Sequence, residues 1–175
     1  MERLGKRLGW DEYFLKIAGD VAERGTCKRR KYGAVIVNED NRIISTGYCG
    51  NPSGTINCSD IEEPCYREAS NSPSGKDYGK CLSHHAEENA IAFVGTERTK
   101  GCRMYIAGKL LSTGEEVEGK PCIKCMGWLA NAGITEVITK TKKGIERYLV
   151  ELMKEEISEE IKGNYREAKE IMKKK

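Results

Sequence analysis

Two stretches decide how this chain is read: Ser83-His-His-Ala-Glu-Glu-Asn-Ala-Ile-Ala-Phe-Val94 and Pro121-Cys-Ile-Lys-Cys-Met-Gly-Trp-Leu-Ala130. Each follows a polar or irregular segment and carries apolar residues at helical spacing, so each predicts a helix, from Ser83 to about Val94 and from Pro121 to about Ala132. Pro121 suits a first helical position, where no amide donor is needed. Cys122 and Cys125 stand at i and i+3, which puts both sulfurs on one helix face. The free amides and the positive end of the helix dipole in that first turn favour thiolate over thiol. Two thiolates and the imidazole of His85 make a three-ligand zinc site with the fourth position left for water, the pattern of a catalytic site and not a closed structural one. Glu87 lies two residues beyond His85, close enough to exchange protons with that water without ligating the metal. A lone His-x-Glu or a lone Cys-x-x-Cys carries little information. The two in this order, each opening a helix, form the zinc deaminase signature.

Working outward, Phe14, Ile17, Ala18, Val21 and Ala22 form one apolar helical face, with Asp11 as the expected cap and Gly25 as the stop. Gly33-Ala-Val-Ile-Val37 reads as a buried strand, and Arg42-Ile-Ile-Ser-Thr46 as its hairpin partner. Residues 47–80 lose all periodicity and hold Gly, Pro and three cysteines; a loop of that length needs something to pin it. Arg103-Met-Tyr-Ile-Ala107 and Thr135-Glu-Val-Ile-Thr139 are further strands. Residues 108–120 form a polar loop with a small hairpin around Thr113-Gly114, and residues 145–150 a short strand or turn. Met153, Ile157, Ile161, Tyr165, Ala168 and Met172 keep helical spacing to the end, with Gly163-Asn164 in between, which predicts a pair of amphipathic helices over 150–175. This alternation is that of one α/β sandwich domain around a mixed sheet, covering 1–175, with 48–82 as a Cys-rich loop.

Composition narrows the function classes. The 175 residues are 33% charged and 38% hydrophobic, with no apolar run long enough to span a bilayer. Residues 1–10, with Arg3, Lys6 and Arg7, lack the apolar stretch of a secretory signal, so the expected compartment is the cytoplasm. The net charge of +3 resides in the last 36 residues, and aromatic content is 7%. That leaves neither a basic face nor a stacking channel for a polynucleotide. The local cluster Lys28-Arg-Arg-Lys31 is a solvated turn or an anion contact. Eight cysteines in a reducing compartment point to metal or catalysis before disulfides.

These residues resemble the cytidine and deoxycytidylate deaminase superfamily. Beyond the two catalytic fragments, Trp10-Asp-Glu-Tyr-Phe14, Cys27 with Arg29-Arg-Lys-Tyr-Gly-Ala-Val-Ile36, Gly47-Tyr48 with Gly50, Pro52 and Gly54, His85-Ala-Glu-Glu-Asn-Ala-Ile91 and Asn131-Ala-Gly-Ile134 are similar to the deoxycytidylate (dCMP) deaminase branch. The resemblance implies a three-layer fold with a central mixed five-stranded sheet flanked by helices, a catalytic zinc between two helix N-termini, and a homo-oligomer, hexamer or dimer. It also implies a second, structural zinc on Cys27, Cys58, Cys65 and Cys81, where some members of the branch carry one. Cys49 stands where the branch reads Asn in Gly-Tyr-Asn-Gly, and sulfur is a poor hydrogen-bond partner. Residues 108–120 are longer than the segment the family places before Pro-Cys.

The expected activity is zinc-dependent hydrolytic deamination of a cytosine nucleotide, dCMP to dUMP and ammonia. His85, Cys122 and Cys125 hold the metal and Glu87 moves protons, while Tyr48, Cys49, Arg29, Arg30 and Lys31 are the substrate contacts to look for. The alternatives are a deaminase of another cytosine or purine derivative and a zinc-stabilised module without activity. Glu87 separates the last of these, because a purely structural site has no use for a non-ligating carboxylate.

Overall fold

The expected hairpin opens the sheet in the computed structural model, which describes residues 7–73 and 78–173. Arg3, Lys6 and Gly75 lie outside the described residues. Strand β1 (Arg30–Val37) pairs antiparallel with β2 (Ile43–Tyr48), Gly33 standing opposite Tyr48. On its other edge β1 pairs antiparallel with β3 (Arg103–Leu110), which pairs in parallel with β5 (Glu136–Thr141); β5 turns back on β6 (Gly144–Leu149). The order is β2-β1-β3-β5-β6. A two-residue strand, β4 (Glu116–Val117), hangs on the end of β3, so the expected five-stranded sheet gains a sixth, short member from the inserted segment.

Helix α1 (Trp10–Ala22) covers one face of the sheet, where Phe14, Leu15 and Ala18 pack on Val35, Val37, Tyr105 and Ile138. Gly9, not Asp11, caps it: the Gly9 amide donates to the Glu12 carboxylate at 3.2 Å. Asp11 is instead drawn off to Tyr105 and Arg147, which outbid a local cap. The opposite face carries α3 (Ala86–Val94), α4 (Ile123–Asn131) and α5 (Val150–Lys173), with Ile36, Met104, Ile106, Ile91, Leu129 and Met153 in one core. Among its described residues the 48–82 region holds one four-residue helix, α2 (Tyr66–Ala69), and two single 3-10 turns.

The C-terminal segment is one continuous helix, not the expected pair. Gly163 faces open space, so no packing penalises it, and a mid-helix glycine costs only about 1 kcal/mol relative to alanine. The two catalytic fragments also begin later than expected. His85 and Cys122 are the residues that cap α3 and α4, and Pro121 lies one position before the cap of its helix.

Candidate active site

α3 connects β2 to β3 and α4 connects β3 to its parallel neighbour β5; the two helices lie on the same face of the sheet and bring their first turns together. Nδ1 of His85 lies 3.5 Å from the Cys122 sulfur and 3.2 Å from the Cys125 sulfur. All three ligand atoms fall within 4.8 Å of one another, and they are the one such group of three or more His, Cys, Asp or Glu among the described residues. Cys125 is buried; the other two are half-buried. Soft sulfur with imidazole in this number and spacing fits zinc.

The electrostatics favour an anionic sulfur at Cys122. The Cys122 sulfur accepts from the Cys125 thiol and from His85, which brings its pKa down to about 4. Cys125 is pushed up, first by donating to Cys122 and then by burial. Burial works against charge on the His85 ring, but Cys122 and then Glu87 outweigh it and raise the imidazole. Glu87 is 6% exposed, and burial raises its carboxyl above the usual carboxylate range. The His85 charge, its own backbone N–H and the Cys125 side chain oppose that rise. A buried carboxyl tuned upward beside a metal-ligand set is the expected character of a proton carrier.

These groups border a cavity of about 170 Å³ whose lining includes His85, Glu87, Cys122, Tyr32, Ile106 and Gly119. Cys27, Cys58, Cys65 and Cys81 all line the same cavity, but no three of their sulfurs stand within 4.8 Å of one another. Of the basic cluster, Lys28, Arg29 and Arg30 line it. Lys28 is also tied to the carbonyl oxygens of Ile61 and Glu63, holding the long loop to the start of β1. Lys31 does not line it; its ammonium reaches the Glu23 carbonyl at 2.8 Å. Tyr48 does not line it either. Cys49 does, yet its thiol donates to the Arg30 carbonyl and its sulfur accepts from the Tyr32 amide, so the backbone of β1 uses both its roles. Burial pushes that thiol up to about 11.

Several lining residues escape sequence reading. Tyr32 donates its hydroxyl to the Glu118 carbonyl, and the Gly119 amide donates to the buried Thr139 hydroxyl at 2.8 Å. Together they hold the inserted segment across the end of the sheet as a wall of the cavity. A methyl at Gly119 would lie 2.7 Å from Ile106 Cγ2, so only glycine lets the strap run that close. The pattern Gly-Lys-Pro-Cys carried this signal, but nothing local shows which strand it crosses.

Residues 8–141 match the family described as the cytidine and deoxycytidylate deaminase zinc-binding region. The chain belongs to this deaminase family. A deoxycytidylate deaminase of Schizosaccharomyces pombe is 35% identical over 147 residues, 84% of this chain and 42% of that protein. One from Mycobacterium phage D29 is 36% identical over 137 residues, 75% of this chain and 94% of the phage protein. The chain thus spans less than half of the fission-yeast relative and nearly all of the phage one. Among solved structures, the dCMP deaminase of cyanophage S-TIM5 in complex with dCMP and dUMP superposes with a TM-score of 0.55 at 25% identity, covering 77% of this chain and 83% of that one. The deaminase-family match ends at Thr141, so β6 and α5 lie beyond it.

Proposed function

We propose that this deaminase-family chain hydrolyses dCMP to dUMP and ammonia. The observation that carries the reading is the convergence of His85, Cys122 and Cys125 beside the buried carboxyl of Glu87. The names of the two relatives and the dCMP and dUMP of the phage structure support this substrate. Zinc held by these residues would lower the pKa of a bound water to near 7 and so supply a nucleophile at neutral pH. Glu87 accepts a proton from the attacking water and delivers it to the ring nitrogen beside the reacting carbon, then takes the second proton from the new hydroxyl on that carbon and passes it to the departing amine. Water and dCMP are consumed, dUMP and ammonia formed, and Glu87 returns to its starting state. The buried site keeps bulk water from competing for these transfers.

Arg29 and Arg30 are the proposed contacts to the nucleotide phosphate, supported by their place in the cavity lining and by the match of guanidinium to phosphate geometry. A second zinc on Cys27, Cys58, Cys65 and Cys81 is supported by their common cavity, and binding it requires their sulfurs to draw closer than they stand here. Action in the cytoplasm is supported by eight unpaired thiols, and no helix among the described residues is long and apolar enough to cross a membrane. A homo-oligomer, hexamer or dimer, is supported by the family resemblance.

The test is ammonia release from dCMP, CMP, cytidine, deoxycytidine, cytosine and guanine, run alongside metal analysis. Turnover fastest on dCMP with zinc present supports the reading. Preference for another member of the panel reassigns the substrate, and no turnover on any, with zinc bound, would sink the enzymatic reading.

A further inference from the structure

Glu88 follows the proton carrier in sequence and has no part in the chemistry above. Its side chain is only 7% exposed, and a carboxylate is rarely so enclosed unless paired. One oxygen, Oε2, accepts from the backbone N–H of His85 at 2.8 Å and lies 3.7 Å from Nδ1 of His84. The other, Oε1, stands 2.9 Å from Nζ of Lys124. Lys124 sits between Cys122 and Cys125 in the first turn of α4. A single carboxylate therefore joins the residue that caps α3, whose imidazole is one ligand, to the turn of α4 that carries the other two.

The physics of the site calls for such a link. Two helix N-termini that converge on one point bring together partial positive charges, and they separate unless something negative lies between them. The Glu88 carboxylate binds the first of these ends through the His85 amide and reaches the first turn of α4 through the Lys124 side chain. Burial would raise the Glu88 carboxyl, but the His85 amide and the Lys124 ammonium outweigh it and hold it below its ordinary value. Capping α3 needs only the bond to His85; the contact with Lys124 is surplus to capping. The Lys124 end is 57% exposed, and ion pairs at exposed positions add little to folding stability. What the pair does is span the two ligand-bearing turns.

We infer that Glu88 and Lys124 are positioning residues, a clamp across the two helix ends that sets the spacing of His85 from Cys122 and Cys125 and so tunes zinc affinity. This rests on the zinc reading above. The experiment uses the full chain as wild type, Lys124→Met, Lys124→Arg and Glu88→Gln. Each is measured for zinc retention against a competing chelator, for the visible absorption bands of the cobalt(II)-substituted protein, and for melting of the metal-free form. The expected result is zinc held about 10–100-fold more weakly by Lys124→Met and Glu88→Gln, the range typical for groups that orient metal ligands. Their cobalt bands shift, Lys124→Arg stays near wild type, and the metal-free melting of Lys124→Met is unchanged. Lys124 is exposed, so its variants fold even if Glu88→Gln does not. Zinc affinity and cobalt bands equal to wild type in Lys124→Met overturn the clamp alone. So does a loss that Lys124→Arg shares in full. A wild-type chain that takes up no zinc at this site overturns both the clamp and the zinc reading.

Discussion

The Cys125 sulfur lies 3.2 Å from Nδ1 of His85, although 40 residues separate them in the chain. Nothing but folding brings them together, so the ligand set is a property of the assembled sheet. Cys125→Ser replaces a thiolate with a weak neutral donor and should release zinc. Chelation of the wild type should likewise abolish ammonia release, with activity restored by added zinc. Metal analysis beside the activity assay reads both; full activity in a zinc-free sample would refute the metal's role.

In the proposed mechanism Glu87 moves protons and does not bind the metal. Glu87→Gln keeps the size and removes the acid–base function, so turnover should fall by about 10²–10⁴-fold or more while zinc content stays at the wild-type level. Loss of zinc together with activity would instead make Glu87 a ligand.

The strap at Gly119 bears on substrate access. In its alanine variant the new methyl clashes with both Ile106 Cγ2 and the Thr139 hydroxyl, each 2.7 Å away, so the strap or both side chains must move. The wall of the cavity then shifts without touching the zinc ligands. Steady-state kinetics should show a raised KM at unchanged zinc content; a KM equal to wild type would show that the strap does not shape the pocket.

Glycines separate packing from propensity. A methyl at Gly33 would stand 2.1 Å from the Ala18 carbonyl oxygen and 2.5 Å from the Ala22 amide, backbone against backbone with no side chain to yield. Gly33→Ala should cost at least about 1–3 kcal/mol in urea unfolding. Gly163 lies within α5 with nothing within 4 Å, so Gly163→Ala should stabilise by roughly 0.5–1 kcal/mol. Equal effects from the two would contradict the close approach of α1 to β1.

Tyr105 offers a pH signature. Burial first, and then donation to the Asp11 carboxylate at 2.9 Å, push its pKa to about 12 from an ordinary 10.0. The folded chain holds this proton more tightly than the unfolded one. Its contribution to stability is therefore complete below about pH 10 and declines as pH rises from 10 towards 12. Tyr105→Phe cannot ionise. The gap in unfolding midpoint between wild type and Tyr105→Phe should narrow over that interval, and a constant gap would rule the linkage out.

What could be read from the chain alone was whatever depends on neighbours in sequence. The i, i+3 spacing of Cys122 and Cys125, the His85-Ala-Glu87 fragment and the apolar runs of β1, β3 and β5 express helix pitch and strand burial, and these act over a few residues. The deaminase family followed from the same fragments. Tertiary structure decided the rest, because it depends on which strands pair and in what register. The β2-to-β3 and β3-to-β5 connections set α3 beside α4 on one face of the sheet and closed the ligand triangle. The β1 backbone claimed the Cys49 thiol, and Asp11 was drawn from its expected cap to Tyr105 and Arg147. Glu88 met Lys124 across two helix ends. Local pattern names the groups that can do chemistry. Only the long-range geometry, where charge, burial and backbone bonds compete for each side chain, settles which of them remain available to do it.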